Sequence, residues 1–240
     1  MSQAPRALGP VVLALACLCL ASCEALKQPA PDKVFFAIDA GTPAAGASTA
    51  GNRVLRVRRL HVAKPYDART FLYKVAESRF ESDYYNGFVV SPAENLTAEL
   101  IRWLSTSGAC ASVVDASSSV AHTHVLEGSI TALYGDYADK SAPKAIIEAK
   151  FFLLDDTGAE PRVLLQKAYA GAAPLGGEGP AALVEAWGKA WRQVLVSLAA
   201  DLANADLRQG GAAPSKADSQ VLPEAAWHPV THGRQAMVHR

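Results

Sequence analysis

Cys23 is the residue of this chain whose neighbours indicate a specific chemistry. It ends the sequence Leu20-Ala21-Ser22-Cys23, which overlaps the end of ten apolar residues at positions 11–20. This order resembles the bacterial lipobox, in which small side chains let a protease reach the backbone and the cysteine sulfur receives diacylglycerol. A ten-residue helix rises about 15 Å, half of the hydrocarbon thickness of a bilayer. The run is therefore too short to span, and we predict a lipoprotein signal peptide over residues 1–22 and lipidation of Cys23.

The predicted cleavage also decides how the four cysteines are used. Cys17 and Cys19 leave with the signal, and Cys23 is acylated, so Cys110 is the remaining thiol and no intramolecular disulfide forms. Residues 23–32 become a lipidated tether. Glu24 follows the cysteine where an aspartate would favour inner-membrane retention, which indicates the outer membrane of a Gram-negative bacterium. An ordinary secretory signal cleaved nearby, with Cys23 incidental, is the alternative.

Histidines in two pairs raise the question of a metal site. His122 and His124 lie two apart on a predicted strand and so share one side, while His228 and His232 have a helical ligand spacing. Zinc takes three or four protein ligands, and the sequence does not fix the remaining ones nearby. We therefore predict polar residues on a solvated strand face and no metal site.

Cys110 and the pair Asp155-Asp156 are the other candidates for catalysis. A cysteine beside a histidine can act as a nucleophile, and paired carboxylates can act as acid and base. A buried, unreactive cysteine and a hairpin turn at Asp155-Asp156-Thr157-Gly158 account for them more simply. Dinucleotide-binding, P-loop, zinc-protease and nucleophile-elbow motifs are absent from the sequence. We expect no catalytic residues and no cofactor.

A local run of positive charge marks a candidate contact surface. Arg56, Arg58 and Arg59 lie in a predicted strand over residues 53–64. Such a strand could contact an acidic partner or lipid head groups. Charge that protects a solvated edge strand is the alternative explanation.

Composition excludes several classes of protein. Among 240 residues, 23 Lys and Arg balance 23 Asp and Glu, and 50% are hydrophobic. A disordered chain would be less apolar, and a nucleic-acid-binding domain is normally basic. The chain is long enough for one domain with appendages.

The predicted elements indicate an α+β domain over residues 33–206, followed by a disordered tail over residues 207–240. Each of two strand groups with short connections is followed by one helix, so we predict an antiparallel sheet with two helices packed on one face. Ser91-Pro92-Ala93-Glu94 has the pattern of a capping box, and Gly108 is a helix stop. Strands are predicted over residues 33–39, 53–64, 71–80, 84–90, 111–115, 122–134, 145–154 and 162–171, with helices from about 92 to 107 and 180 to 206. A change of apolar parity at Arg58-Arg59 indicates a bulge or bend, residues 81–83 are a hairpin connection, and the last three strands are expected to form a meander. One apolar face of the final helix is formed by Leu183, Trp187, Trp191, Val194, Leu198 and Leu202.

Four stretches in this order resemble one known family. They are Tyr66-Asp67 with Phe71-Leu72-Tyr73-Lys74, residues 91–104, residues 123–130 and the Ala/Leu-rich residues 182–202. Together with the lipobox they are similar to the ABC-type transport auxiliary lipoprotein component family, over about residues 34–204.

The resemblance implies a role beside a transporter of the mammalian-cell-entry (MCE) class. In such systems an MCE-domain carrier takes lipid across the periplasm, and the auxiliary lipoprotein, anchored at the periplasmic face of the outer membrane, docks or receives it without catalysis. A ring-forming homo-oligomer is one arrangement that this role allows. An outer-membrane assembly lipoprotein and a periplasmic lipid-modifying or hydrolytic enzyme are the alternatives.

Overall fold

The structure is a computed structural model and describes residues 32–44 and 52–205. Cys23, the signal over 1–22, nearly all of the tether and the tail over 207–240 lie outside these residues. The elements within them are β1 (Val34–Phe36), β2 (Val54–Val57), β3 (His61–Val62), β4 (Thr70–Ala76), β5 (Arg79–Phe88), α1 (Pro92–Ser107), β6 (Ser112–Asp115), β7 (His124–Asp136), β8 (Lys144–Asp155), β9 (Arg162–Pro174) and α2 (Gly179–Asn204).

Strand β7 is the centre of one mixed sheet. It pairs in parallel with β2, β3 and β4 and antiparallel with β8, which in turn pairs antiparallel with β9. β4 and β5 form a hairpin, β1 adds in parallel to β5, and β6 adds in parallel to β2. The predicted antiparallel sheet is thus wrong in part, whereas the predicted meander of the last three strands is confirmed. The reason is that the early strands reach β7 through a crossover that contains α1, and a crossover joins strands in parallel.

The bulge or bend predicted within residues 53–64 is a break between two strands. β2 ends at Val57 and β3 begins at His61, so Leu55 and Val57 are buried on one side of the break and Leu60 and Val62 on the other. Arg58 and Arg59 fall in the break itself. At these two residues the apolar positions of the sequence change from odd to even numbers.

The predicted connection at residues 81–83 is wrong. β4 ends at Ala76 and β5 starts at Arg79, so Asp83 lies inside β5. Between the pairs Thr70↔Gly87 and Leu72↔Ser82 the register shifts, and the Asp83 carboxylate accepts the N–H groups of Tyr85 and Asn86 there. The polar residues therefore mark a bulge in the strand instead of its end.

Both helices begin and end close to the predicted residues. Ser91 Oγ accepts the N–H of Glu94 at 3.3 Å and the Glu94 carboxylate accepts the N–H of Ser91 at 3.2 Å, which is the predicted capping box. Gly108 has a φ of 72°, a left-handed conformation that suits glycine at a helix end. α1 contacts β3, β6 and α2, while α2 contacts β8 and β9. That the two helices share one face of the sheet stays a prediction.

The apolar face of α2 forms the centre of the core. Trp187 and Trp191 are fully buried, and the Trp187 ring lies 5.1 Å from Phe71 and 5.5 Å from Phe88 between centroids. The remaining predicted residues of this face are also buried: Leu183, Val194, Leu198 and Leu202. The predicted packing of the final helix is confirmed. In the described part of the chain, no helix has the length and apolar character needed to cross a bilayer.

Residues 37–41, the N-terminal strap, connect β1 to both helices. Asn95 of α1 exchanges two hydrogen bonds with the backbone of Ile38, and Arg192 of α2 donates to the Ala40 carbonyl at 2.7 Å. A Cβ at Gly188 of α2 would lie 2.2 Å from the Asp39 carbonyl oxygen. The strap therefore depends on glycine at this position, because backbone passes where a side chain would stand.

Candidate interaction surface

The arginines over residues 53–59 are close together in sequence, but their side chains have different environments. Arg53, just before β2, is 3% exposed and donates from Nη1 to the Leu202 carbonyl at 2.6 Å. That carbonyl belongs to the last turn of α2, where a positive charge is favoured by the helix dipole. Arg53 is therefore a structural residue that ties β2 to the end of α2.

Arg56 is half-buried and holds a loop. Its Nη2 donates to the carbonyls of Ser118 at 3.0 Å and Val120 at 3.2 Å, in the segment that joins β6 to β7. The guanidinium thus satisfies backbone groups of its own chain, so Arg56 can influence a partner through the shape of this loop.

Arg58 and Arg59 are the two members of the run that face solvent. Their side chains are 60% and 62% exposed, and Arg58 forms a salt bridge with Glu127 of β7. Arg59 Nη2 donates to Ser91 Oγ at 3.3 Å and lies 3.8 Å from the Glu94 carboxylate. Exposed ion pairs of this kind contribute little to stability, so both cations are free to exchange partners.

The start of α1 gives the surface a fixed negative charge beside Arg59. Hydrogen bonds from the Ser91 hydroxyl and N–H lower the pKa of Glu94, and the Arg59 charge lowers it further. Glu94 is therefore a carboxylate at neutral pH. Its place in the first turn of α1 also favours the charged form, because the helix dipole stabilises an anion there.

A groove of about 590 Å³ runs between α1 and the residues that follow β6. It is lined by Val57, Arg59, Glu94, Thr97, Ala98, Ile101, Asp115, Ala116 and Ser117. A smaller depression of about 340 Å³ continues past Arg59 to His61 and Asp67. The groove contains apolar side chains together with one cation, Arg59, and the carboxylates of Glu94 and Asp115. This lining is suited to a polypeptide segment with charges of both signs.

The histidines considered as metal ligands have other partners. His122 Nε2 lies 2.9 Å from the Asp156 carboxylate, and His124 Nδ1 lies 2.8 Å from the hydroxyl of Thr123. Within residues 32–44 and 52–205 there is no group of three or more His, Cys, Asp or Glu side chains arranged to hold a metal. His228 and His232 lie outside the described residues.

Cys110 and Asp155 take the structural roles predicted for them. Cys110 is 6% exposed, just after the end of α1. Asp155 Oδ1 accepts the N–H of Thr157 at 3.1 Å and its hydroxyl at 2.6 Å, which is a turn at the tip of the β8–β9 hairpin. These hydrogen bonds lower the pKa of Asp155, so the carboxylate stays ionised and serves the turn.

Sequence reasoning missed the polar residues of α1 that hold the strap. Asn95, Glu99 and Arg102 recur at helical spacing beside the apolar stripe of Leu96 and Leu100. Glu99 accepts the Ala40 N–H at 2.9 Å, and Arg102 donates to the carbonyl of Gly41 at 2.9 Å. Polar residues beside an apolar stripe are the ordinary pattern of an amphipathic surface helix, so the sequence carries no specific signal for this contact.

Two solved structures resemble the whole described fold. Protein XCC0632 from Xanthomonas campestris, of the family DUF330, is 20% identical, has a TM-score of 0.63, and the match covers 75% of this chain and 99% of that one. A second, described as an uncharacterized protein, is 15% identical with a TM-score of 0.57, covering 72% and 99% of the two chains. At these identities the likeness shows the fold alone. No curated protein matches the chain.

The sequence itself matches a family model over most of the folded part. The match extends from residue 36 to residue 199, from the end of β1 to the last turns of α2, and includes the elements that build the groove. The family resemblance of the four sequence stretches is thereby confirmed. The chain belongs to the family of ABC-type transport auxiliary lipoprotein components.

Proposed function

We propose that this protein is a lipid-anchored auxiliary component of an MCE-class ABC transporter, and that it docks or receives the MCE-domain carrier for lipid transport between the inner and outer membranes. The observation that carries the proposal is the family match over residues 36–199, since that family consists of lipoprotein components of transport systems. The outer membrane, the carrier and the lipid cargo are the parts that go beyond this match.

The anchor is proposed to be acyl chains, palmitate among them, on Cys23. The first described residue is Asp32, which lies nine positions after the proposed anchor. At 3.3–3.6 Å per residue this stretch reaches about 30 Å at most. A body held within this distance cannot cross the periplasm alone, so a carrier has to come to it.

The proposed contact with the carrier is the groove beside Arg58 and Arg59. Both cations are exposed, and their present partners are the exposed carboxylates of Glu127 and Glu94. A partner segment with acidic and basic side chains can pair with these arginines and with the displaced carboxylates, without leaving a buried charge unpaired. Arg56 supports the same surface through its hydrogen bonds to Ser118 and Val120. Several copies around the end of one carrier would use a head-to-tail interface.

The role is proposed to be non-catalytic. The candidate nucleophile Cys110 is buried, and the hydrogen-bonding nitrogen of His122 is engaged by Asp156. A nucleophile needs a base within hydrogen-bond reach in an accessible cleft. Purified protein that turned over a lipid or ester, with activity abolished by a single substitution, would contradict this part of the proposal.

The anchor is tested by the variant Cys23→Ser. We expect loss of labelled palmitate incorporation and loss of co-sedimentation with outer membranes, because the sulfur is the acyl acceptor. A variant that still sediments with outer membranes and still incorporates palmitate would show that another residue or mechanism provides the attachment.

The docking surface is tested by Arg58→Glu with Arg59→Glu in the otherwise wild-type, lipidated chain. We expect cross-linking to the MCE-domain protein in intact envelopes to fall about tenfold or more and the outer-membrane barrier to weaken. The matched control is Arg79→Glu with Lys189→Glu, which makes the same charge change at exposed sites elsewhere. Normal capture by the first variant would exclude this surface.

A further inference from the structure

Six large apolar or aromatic side chains are exposed together around the edge strand β1. We name them the edge patch: Val34, Phe35, Tyr84, Tyr85, Val89 and Val90, with exposed fractions of 48%, 53%, 69%, 44%, 50% and 40%. The residues come from β1, from β5 and from the link between β5 and α1. A contiguous set of this kind on a folded surface indicates a binding site.

One ring contact and backbone pairing bring the residues of the patch together. The rings of Tyr84 and Tyr85 stand edge to face with centroids 5.1 Å apart, and β1 lies in register with β5, with Phe35 opposite Gly87. Val89 donates its N–H to the Phe36 carbonyl at 2.8 Å, which brings the link beside β1. Phe35 itself is 53% exposed, so about half of its surface is open to solvent.

Two cations border the patch. Lys33 Nζ lies 4.5 Å from the centre of the Tyr84 ring, and the Arg69 guanidinium lies 5.4 Å from the centre of the Phe35 ring. Arg69 is held there by hydrogen bonds to the carbonyls of Phe88 and Val89. The nearby carboxylate of Asp83 is engaged by Tyr73 and by the backbone of β5. The patch therefore presents aromatic rings with a positive border.

The length of chain between Cys23 and β1 limits how far this patch can be from the membrane. Asp32 directly precedes β1, and nine residues upstream is Cys23. A tether that reaches about 30 Å at most, and ends at the patch itself, keeps these side chains close to the surface that holds the anchor. Tyrosine at the head-group level, apolar side chains beyond it and a cationic border are the chemistry of a membrane interface.

We propose that the edge patch is a membrane-contact site that inserts into the head-group region of the anionic phospholipid surface to which the protein is tethered. The proposal rests on the proposed anchor at Cys23 and adds a second, non-covalent attachment. It also fixes orientation. Ser91, which follows Val90, accepts a hydrogen bond from Arg59, so the groove adjoins the patch and a docked carrier would end at the membrane surface.

The test uses the full mature chain coupled through Cys23 to a maleimide lipid in vesicles of phosphatidylethanolamine and phosphatidylglycerol. Cys110 is buried, so Cys23 is the reactive thiol under native conditions. The same chain coupled to a soluble maleimide is the reference. We expect amide hydrogen exchange over residues 33–36 and 84–90 to be about tenfold slower on vesicles, and exchange over residues 162–168 of β9 to be unchanged.

Substitutions distinguish insertion of the edge patch into the lipid from closeness of the protein to the vesicle surface. Phe35→Ser with Val89→Ser is expected to remove the slowing, whereas Val163→Ser with Val196→Ser, at equally exposed valines on β9 and α2, is expected to keep it. Equal exchange on vesicles and on the soluble reference would overturn the proposal. Slowing that appears in the soluble reference and grows with protein concentration would also overturn it, because the patch would then pair with a second copy.

The chemical coupling makes this result independent of native acylation. Mass spectrometry of Cys23 in protein from the envelope decides whether the proposed anchor exists. An unmodified Cys23 together with slowed exchange on vesicles would contradict the anchor and leave the patch supported as a membrane-binding surface.

Discussion

Asn95 and Ile38 exchange two hydrogen bonds across 57 positions of the chain. The Ile38 N–H donates to Asn95 Oδ1 at 2.7 Å, and Asn95 Nδ2 donates to the Ile38 carbonyl at 3.0 Å. Both residues are buried. An amide side chain has both a donor and an acceptor, so it can satisfy the N–H and the C=O of one residue at once. Asn95 thus makes the hydrogen bonds to the strap that a neighbouring strand would otherwise make.

Replacing Asn95 by Leu leaves both backbone groups of Ile38 buried without these partners. We expect the free energy of unfolding to fall by about 1–3 kcal/mol for each group that stays unsatisfied. Urea unfolding measures the change. The control is Asn204→Leu, where the side chain is exposed and donates within the last turn of α2. Equal stability of the two variants would show that water replaces the lost partners.

Glycine at position 188 is required by the strap. A methyl group there would stand 2.2 Å from the Asp39 carbonyl oxygen, so Gly188→Ala must displace the strap or bend α2. We expect a loss of about 1–3 kcal/mol, against the gain that alanine normally brings inside a helix. Gly176→Ala is the control, because nothing lies within 4 Å of its added methyl. A stabilised Gly188→Ala variant would contradict the close approach.

The two core tryptophans of α2 are expected to differ. Trp187 Nε1 donates to the Tyr134 carbonyl at 3.2 Å, whereas Trp191 Nε1 is buried without a partner in the described part of the chain. Trp187→Phe should therefore lower the free energy of unfolding by about 1–3 kcal/mol more than Trp191→Phe does. Either tryptophan replaced by Ala should lose about 3–5 kcal/mol. An unchanged melting temperature for Trp191→Ala would show that it does not pack in the core.

Asp83 is expected to make stability depend on pH in the acid range. Burial tends to raise its pKa, but hydrogen bonds from the Tyr73 hydroxyl and from Asn86 outweigh burial and hold the pKa below the ordinary value of 3.8. The folded state thus favours the carboxylate. Its contribution is present above the ordinary pKa and is lost as the pH falls through the lower folded value.

The variant Asp83→Asn removes this titration. We expect the wild type to lose more stability than Asp83→Asn between about pH 5 and pH 2, as measured by thermal unfolding across that range. Tyr73→Phe, which removes one donor to the carboxylate, should give an intermediate slope. Parallel curves for the wild type and Asp83→Asn would mean that the carboxylate has the same pKa in the folded and unfolded states.

Local patterns predicted the elements well and their pairing poorly. The capping box at Ser91, the left-handed Gly108 and the turn at Asp155 are each specified by a few neighbouring residues, and all three were predictable. The parallel partners of β7 were not, because the pairing of Val57 with Leu126 depends on where the chain returns after α1. The bulge at Asp83 was mistaken for a turn, since both use an aspartate to satisfy nearby N–H groups.

The candidate surface was predictable only as a run of charge. The sequence places Arg56, Arg58 and Arg59 close together, but burial of the Arg56 guanidinium against the loop at Ser118 depends on a contact 62 positions away. Arg53 shows the same limit, because its partner is the carbonyl of Leu202 at the far end of the domain. The spacing of arginines along a strand predicts the face of the sheet from which each side chain leaves. The position of the guanidinium group depends on backbone carbonyls that are distant in the sequence.

The position of β7 at the centre of the sheet has a consequence for the order in which the chain can fold. Among the described residues, β2 and β3 pair only with β6 and β7, both of which follow α1 in sequence. A chain that emerges from its N-terminus therefore holds β2 without any partner until β6 follows, and β3 without its partner until Ile130 of β7 follows. Long-range parallel pairing of this kind forms slowly, and unpaired strands are prone to aggregate meanwhile. The sheet is thus completed only when its last strands have formed. A chain that ends before β7 lacks the strand with which β2, β3 and β4 all pair.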